Sequence, residues 1–314
     1  MADVRPVLLV SFPRSASNLL VRMLALDDQP AVAQNEKRGY HLMAMATLPQ
    51  DENLWDRPLS RWGDNNQRLR QAAEDGFRAL EKTRAVGIAE KKIAFSKEHA
   101  TLLTDPSVLS KYIFAEDDTA DRPWRMDHHD VEREAPLKSG SSPLNDTMFS
   151  DAYLQQWDMV FLIRHPALAF PSLYRIFMGA TPDLDVKKGT ETFSPPEGRT
   201  WPLLLDADDV VANPMIVEKF AALIGMDPSK VQSTWSPLTA EEREKMSARA
   251  RIMLSTLNAS NGLMADKSAA GLDLDDEARK WEQEFGPAAA AKLERWVREA
   301  MPDYEYLRDK RLRL

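Results

Sequence analysis

Four short apolar runs, spread over 314 residues with helical patterns between them, constrain this chain more than any other feature. They are Val7-Leu8-Leu9-Val10-Ser11-Phe12, Ile93-Ala94-Phe95-Ser96, Met159-Val160-Phe161-Leu162-Ile163 and Leu203-Leu204-Leu205. A strand with one face in water alternates apolar and polar residues. A run that is apolar almost throughout must be covered on both faces, as a parallel strand in an α/β sheet is. The intervening segments carry helical spacing: Leu19, Leu20, Met23 and Leu24 follow the first run, and Leu69, Ala73, Phe77 and Leu80 make one stripe on a charged segment. Asn213-Pro214 reads as a helix start that Gly225 ends, and Thr239 to Glu242 reads as a capping box. These patterns predict a single α/β domain over 1–314, with an open, mostly parallel sheet wrapped by helices and a helical C-terminal portion from about 239 to 314. The stretch from Glu116 to Ser150, crowded with Asp, Pro, Ser and His, fits no element and reads as an irregular insertion, a functional lid or a disordered segment.

Charge and composition narrow the partners. Forty-nine acidic residues against 41 basic ones give a net charge of -8, which argues against nonspecific binding to nucleic acid or an anionic membrane. The absence of cysteine removes disulfides, thiolate metal ligands and cysteine nucleophiles at once. No early apolar run is long enough to span a bilayer, and the first lacks the flanks of a signal peptide, so the expectation is a soluble cytoplasmic protein. The Asn-x-Ser/Thr matches at Asn145 and Asn258 then carry no weight. Oligomeric state is not legible.

Three motifs lie at strand ends. Phe12-Pro13-Arg14-Ser15-Ala16-Ser17-Asn18 joins the first strand to the first helix. Backbone N–H groups and the positive end of a helix dipole favour an anion there; Ser15, Ser17 and Asn18 add donors, and Arg14 adds a permanent charge. The loop lacks the glycines and the Lys-Ser/Thr pair of a Walker A sequence, and its bland reading is an ordinary turn capped by Ser or Asn. In the second motif Arg164 closes the Phe161-Leu162-Ile163 strand and Ser172 follows eight residues on. An arginine at the carboxyl end of a buried strand faces the crevice where open α/β sheets bind ligands. The third, Ser96-Lys97-Glu98-His99, brings an ammonium, a carboxylate and an imidazole to one strand end, with His99 a candidate general base and Glu98 its rival.

Together these motifs resemble the sulfotransferases that use 3′-phosphoadenosine 5′-phosphosulfate (PAPS), over roughly residues 7 to 286. Pro13 to Asn18 is similar to that family's 5′-phosphosulfate loop, with Ala16 where glycine is usual. Arg164 and Ser172 are similar to its 3′-phosphate site, and Lys97-Glu98-His99 to its Lys-x-His strand end. The acidic Asp206 to Asp209 segment before Asn213-Pro214 also has a family counterpart. The resemblance implies a P-loop-like fold, PAPS as sulfuryl donor and a small organic acceptor, with no metal. It further implies His99 as base, Arg14 and Lys97 on the leaving group, Arg164 and Ser172 on the 3′-phosphate, and the Ser15–Asn18 loop on the 5′-phosphate. Asn261 and Gly262 stand where the family places an Arg-Lys-Gly loop over the 3′-phosphate, and only the glycine matches. That departure motivates a second reading, a sulfotransferase fold that has lost PAPS turnover and binds a small molecule or catalyses another reaction such as an elimination.

Other patterns have local explanations. Asp117-Asp118-Thr119-Ala120-Asp121 and Asp206-Ala207-Asp208-Asp209 match the acidic signatures of terpene synthases and cyclases, but those enzymes need a mostly helical chain. His128-His129-Asp130 lies in a polar loop where histidines are usually solvated, and Trp281 and Trp296 read as core.

Overall fold

The computed structural model describes residues 5–33, 39–114, 124–126, 142–177, 202–264 and 267–314. In chain order the N-terminal half holds β1 (Val7–Ser11), α1 (Ser17–Leu24), α2 (Ala44–Asp51), α3 (Asp64–Glu90), β2 (Phe95–His99), α4 (Ala100–Leu103) and α5 (Pro106–Phe114). Next come α6 (Asp151–Leu154), β3 (Asp158–Ile163), α7 (Pro166–Phe177), β4 (Leu203–Asp206), α8 (Ala207–Ala212) and α9 (Met215–Leu223). The C-terminal part holds α10 (Ala240–Glu244), α11 (Ala248–Met253), α12 (Ser255–Ala259), α13 (Leu274–Phe285) and α14 (Pro287–Asp309). The protein is α/β, with a four-stranded parallel sheet in the order β2-β1-β3-β4 flanked by helices. Each apolar run supplies one of these strands. The order reverses direction between β1 and β3.

The chain gathers into two compact units. One comprises Met1–Phe12, Val32–Phe161 and Phe177–Leu203, and the other Pro13–Ala31, Leu162–Ile176 and Leu204–Leu314. In the first, Leu8 and Val10 of β1 share a core with Leu69, Ala73 and Leu80 of α3, and Phe77 packs its ring 5.8 Å from Phe149 and 5.3 Å from Tyr153. The stripe read from the sequence is therefore the buried face of α3. Strand β2 pairs with β1 from Val7↔Phe95 to Ser11↔His99, so it runs further than its apolar run and takes in Ser96, Lys97, Glu98 and His99, all buried. Pairing and burial override the low strand propensity of Lys and Glu.

The described pieces of the 116–150 stretch, 124–126 and 142–150, hold no helix or strand, yet they send side chains into the core. Trp124, Met126, Met148 and Phe149 are core residues of the first unit, at 0–6% exposure. Their backbone is tied by Met126 N–H to Met148 O and Met148 N–H to Leu103 O, both at 2.9 Å. Isolated apolar residues without periodicity are invisible to pattern reading, yet each can fill a core position. The Asp117–Asp121 and His128–Asp130 patterns fall outside the described residues.

In the second unit Trp281 of α13 packs with Leu293 and Val297 of α14 and with Ala167 of α7, while Trp296 is partly buried beside them. The capping box at Thr239 forms with Glu242, and the Asn213 side chain accepts from the Met215 N–H as Gly225, at φ 81°, follows α9. Among the described residues no strand follows β4, and no helix is long and apolar enough to cross a membrane.

Candidate active site

In the second unit, α1 begins at Ser17 with Ala16 as its N-cap, in a left-handed conformation at φ 62° and ψ 22°. The turn is not the ordinary serine- or asparagine-capped one, because a methyl group can accept no hydrogen bond. No acidic residue occupies the first turn. Arg14 is also left-handed, at φ 71°, and both residues sit where an L side chain costs about 1–2 kcal/mol. The hydroxyl-bearing Ser15 and Ser17 are buried at 2% and 4% exposure.

Arg14 links this loop to α7 and to the C-terminal helices. Its Nε donates to Ser172 Oγ at 3.0 Å, and another guanidinium nitrogen donates to Met253 O at 2.7 Å. Arg164, just past β3, donates to Arg14 O at 2.9 Å and to Lys267 O at 3.3 Å. These acceptors are neutral, so the bonds orient two guanidiniums without cancelling their charge. Burial pulls Arg164 below its ordinary value; the Asp208 carboxylate opposes that pull and the like charge of Arg14 adds to it. A guanidinium so placed still stays protonated.

The sequence predicted Arg14, Arg164 and Ser172 as site residues, and one network holds them all. Of the two remaining predicted residues in the second unit, Asn261 O accepts from the Trp235 N–H at 3.2 Å and Gly262 bridges Thr234. The neighbouring residues that hold the arginines are Met253 and Lys267, through carbonyl groups, which no side-chain motif reveals. Asp208 was also missed as part of this network; its carboxylate accepts the Ala269 N–H at 3.0 Å beside the Lys267 contact. Asp206 caps α8 and accepts the Tyr304 hydroxyl at 2.8 Å, and Asp209 pairs with Arg311 at 2.5 Å. All three carboxylates of the cyclase-like pattern thus serve the local structure.

In the first unit the pleat of β2 sorts its four polar residues by face. Ser96 Oγ lies 3.3 Å from His41 Nε2, and Glu98 Oε1 accepts from the His41 N–H at 2.5 Å and the Leu42 N–H at 3.4 Å. Lys97 and His99 instead share Tyr40: the Lys97 Nζ lies 4.3 Å from the centre of its ring, and the His99 ring 4.9 Å from it. His99 Nδ1 is 3.2 Å from Ser11 O and 3.3 Å from Ser11 Oγ. With Nδ1 protonated and donating to the carbonyl, Nε2 keeps the lone pair that a base needs. Burial drives Lys97 down to about 7 and Glu98 up to about 8. Among the described residues no group of three or more His, Asp or Glu is arranged to hold a metal ion.

A parallel α/β sheet with two strand-end arginines gathered at the first turn of a helix, and a Lys-x-His strand, has the parts of a group-transfer enzyme. The chain belongs to the sulfotransferase family. It is 34% identical to sulfotransferase ppzF of Metarhizium majus, over 97% of this chain and 96% of that protein. It is likewise 34% identical to sulfotransferase ppzF of Metarhizium rileyi, over 97% of this chain and 95% of the relative. No family model and no solved structure matches the chain.

Proposed function

We propose that this protein transfers a sulfuryl group from PAPS to a hydroxyl of a small organic acceptor, with His99 as general base. The observation that carries this reading is the Arg14–Ser172–Arg164 network beside the start of α1, in a chain that matches sulfotransferases along nearly its whole length. A nucleotide with phosphates at its 3′ and 5′ positions calls for permanent cations, hydroxyl donors and backbone N–H groups, and these residues are of those kinds. Arg164 and Ser172 would hold the 3′-phosphate and the Ser15–Asn18 turn the 5′-phosphate, with Arg14 bonded to the first set and belonging by sequence to the second. When bound, the donor supplies a sulfuryl group whose bond to a phosphate oxygen is exchanged for one to the acceptor oxygen. His99 Nε2 takes the acceptor's proton, while Lys97 and Arg14 hold positive charge for the departing phosphate.

The test is a thermal-shift comparison of 3′-phosphoadenosine 5′-phosphate with AMP, in wild type and Arg164→Ala. Wild type is expected to be stabilised more by the bisphosphate. The variant should lose that preference, since a charge-assisted contact is worth about 1.5–3 kcal/mol, roughly ten- to hundredfold in affinity. Equal stabilisation of both proteins by the bisphosphate would overturn the assignment.

A further inference from the structure

Residues 39 and 40 are pressed against the middle of β2. The Tyr40 N–H donates to Lys97 O at 2.6 Å. Gly39 has φ 118°, and a Cβ built there would lie 2.5 Å from Lys97 O and 2.6 Å from Lys97 N, so the backbone approach requires glycine. Tyr40 is itself left-handed at φ 58°. Strain of this kind in a bulky residue persists only where the surroundings over-determine it, and it clusters at functional sites. What the strain secures is one aromatic ring for two groups, the Lys97 ammonium and the His99 imidazole.

We propose that Tyr40 is a positioning residue for the transfer reaction: its ring keeps Lys97 cationic against burial and aligns His99 as the base. The inference rests on the sulfotransfer reading of those two residues. The physics is one of competing effects. Burial disfavours the ammonium, and the negative face of an aromatic ring favours it, more so when water is excluded. Burial leaves Lys97 at about 7, so a modest change in its surroundings decides its charge near neutral pH. Among the described contacts, Tyr40 from the segment before α2 and Glu98 from its own strand act on it, His99 shares the Tyr40 ring, and its β1 register partner is Leu9.

The experiment compares wild type, Tyr40→Phe and Tyr40→Leu by the pH profile of kcat/KM and by NMR titration of the Lys97 side chain in lysine-labelled protein. Tyr40→Phe keeps the ring and should retain both the profile and the titration. Tyr40→Leu should move the alkaline limb, where Lys97 loses its proton, and the Lys97 titration down together by about half a unit to one unit. A merely structural role would lower the rate and leave both midpoints in place, and that result overturns the proposal. If Tyr40→Leu does not fold, pentafluorophenylalanine at position 40, of similar shape but with the ring's charge distribution reversed, should produce the same downward shift; no shift overturns the proposal. The titration needs no turnover, so it decides the role of Tyr40 even if wild type fails to transfer sulfuryl groups, an outcome that would count against the proposed function instead.

Discussion

On β2 the pleat separates two groups that both accept protons. His99 has Nδ1 against Ser11 O and its ring against Tyr40, whereas Glu98 is fully buried and spends one oxygen on two backbone N–H groups. With its carboxyl pushed up to about 8, Glu98 holds a proton at neutral pH and is poorly suited to take another. The expected outcome is that His99→Ala loses roughly a hundredfold or more in turnover, with the affinity for 3′-phosphoadenosine 5′-phosphate little changed, while Glu98→Gln keeps most of its activity. Steady-state rates on the purified variants check this. Turnover that survives in His99→Ala and vanishes in a folded Glu98→Gln protein would reassign the base.

Helix α3 shows how an element trades its own propensity for tertiary fit. Its 27 residues include Gly76, and alanine there would favour the isolated helix by about 1 kcal/mol. A Cβ at that position, however, would lie 2.7 Å from Leu42 Cδ2 and 2.8 Å from His41 O. That is the segment whose N–H groups hold Glu98. Forcing it away costs about 1–3 kcal/mol. Gly76→Ala is therefore expected to lower stability by up to about 2 kcal/mol in urea unfolding, against the helix-propensity trend; a more stable variant would show that the segment yields freely. At the other end of the chain, α14 is held to β4 and α8 by polar contacts. Tyr304 reaches Asp206, Arg311 reaches Asp209, and the Leu312 N–H donates to Leu204 O at 2.7 Å.

For the molecule as a whole, the two buried groups of β2 make stability depend on pH in opposite directions. Glu98 is raised from 4.5 to about 8, so the folded protein keeps a proton that the unfolded chain releases between those values. Its contribution is full below 4.5 and is lost as the pH rises to about 8. Lys97 is lowered from 10.5 to about 7, and its contribution is full above 10.5 and lost as the pH falls through 7. Between pH 5 and 7 Glu98 acts almost alone. The stability advantage of wild type over Glu98→Gln should therefore shrink by roughly 2–3 kcal/mol across that interval, near the limit of about 1.4 kcal/mol per pH unit for one proton. Urea unfolding of both proteins at pH 5 and pH 7 measures it, and a constant difference would mean that Glu98 titrates normally in the fold.

The sequence by itself determined the elements whose signals are local. Each strand announces itself by an apolar run and α3 by its stripe, because a covered strand and a half-buried helix impose different periods on neighbouring residues. The capping box at Thr239 and the order of the three motifs are local in the same sense. Burial and backbone geometry were decided only in three dimensions. Trp124 and Phe149 are core residues inside a polar stretch, Ala16 rather than a serine caps α1, and Asp206 to Asp209 serve α8, α14 and the segment at Ala269. Tyr40, Met253 and Asp208 meet the candidate site residues through a ring face, a carbonyl and the electrostatic field of a carboxylate. Such contacts join residues far apart in the chain and leave no spacing for a one-dimensional pattern to carry, so tertiary packing alone selects them.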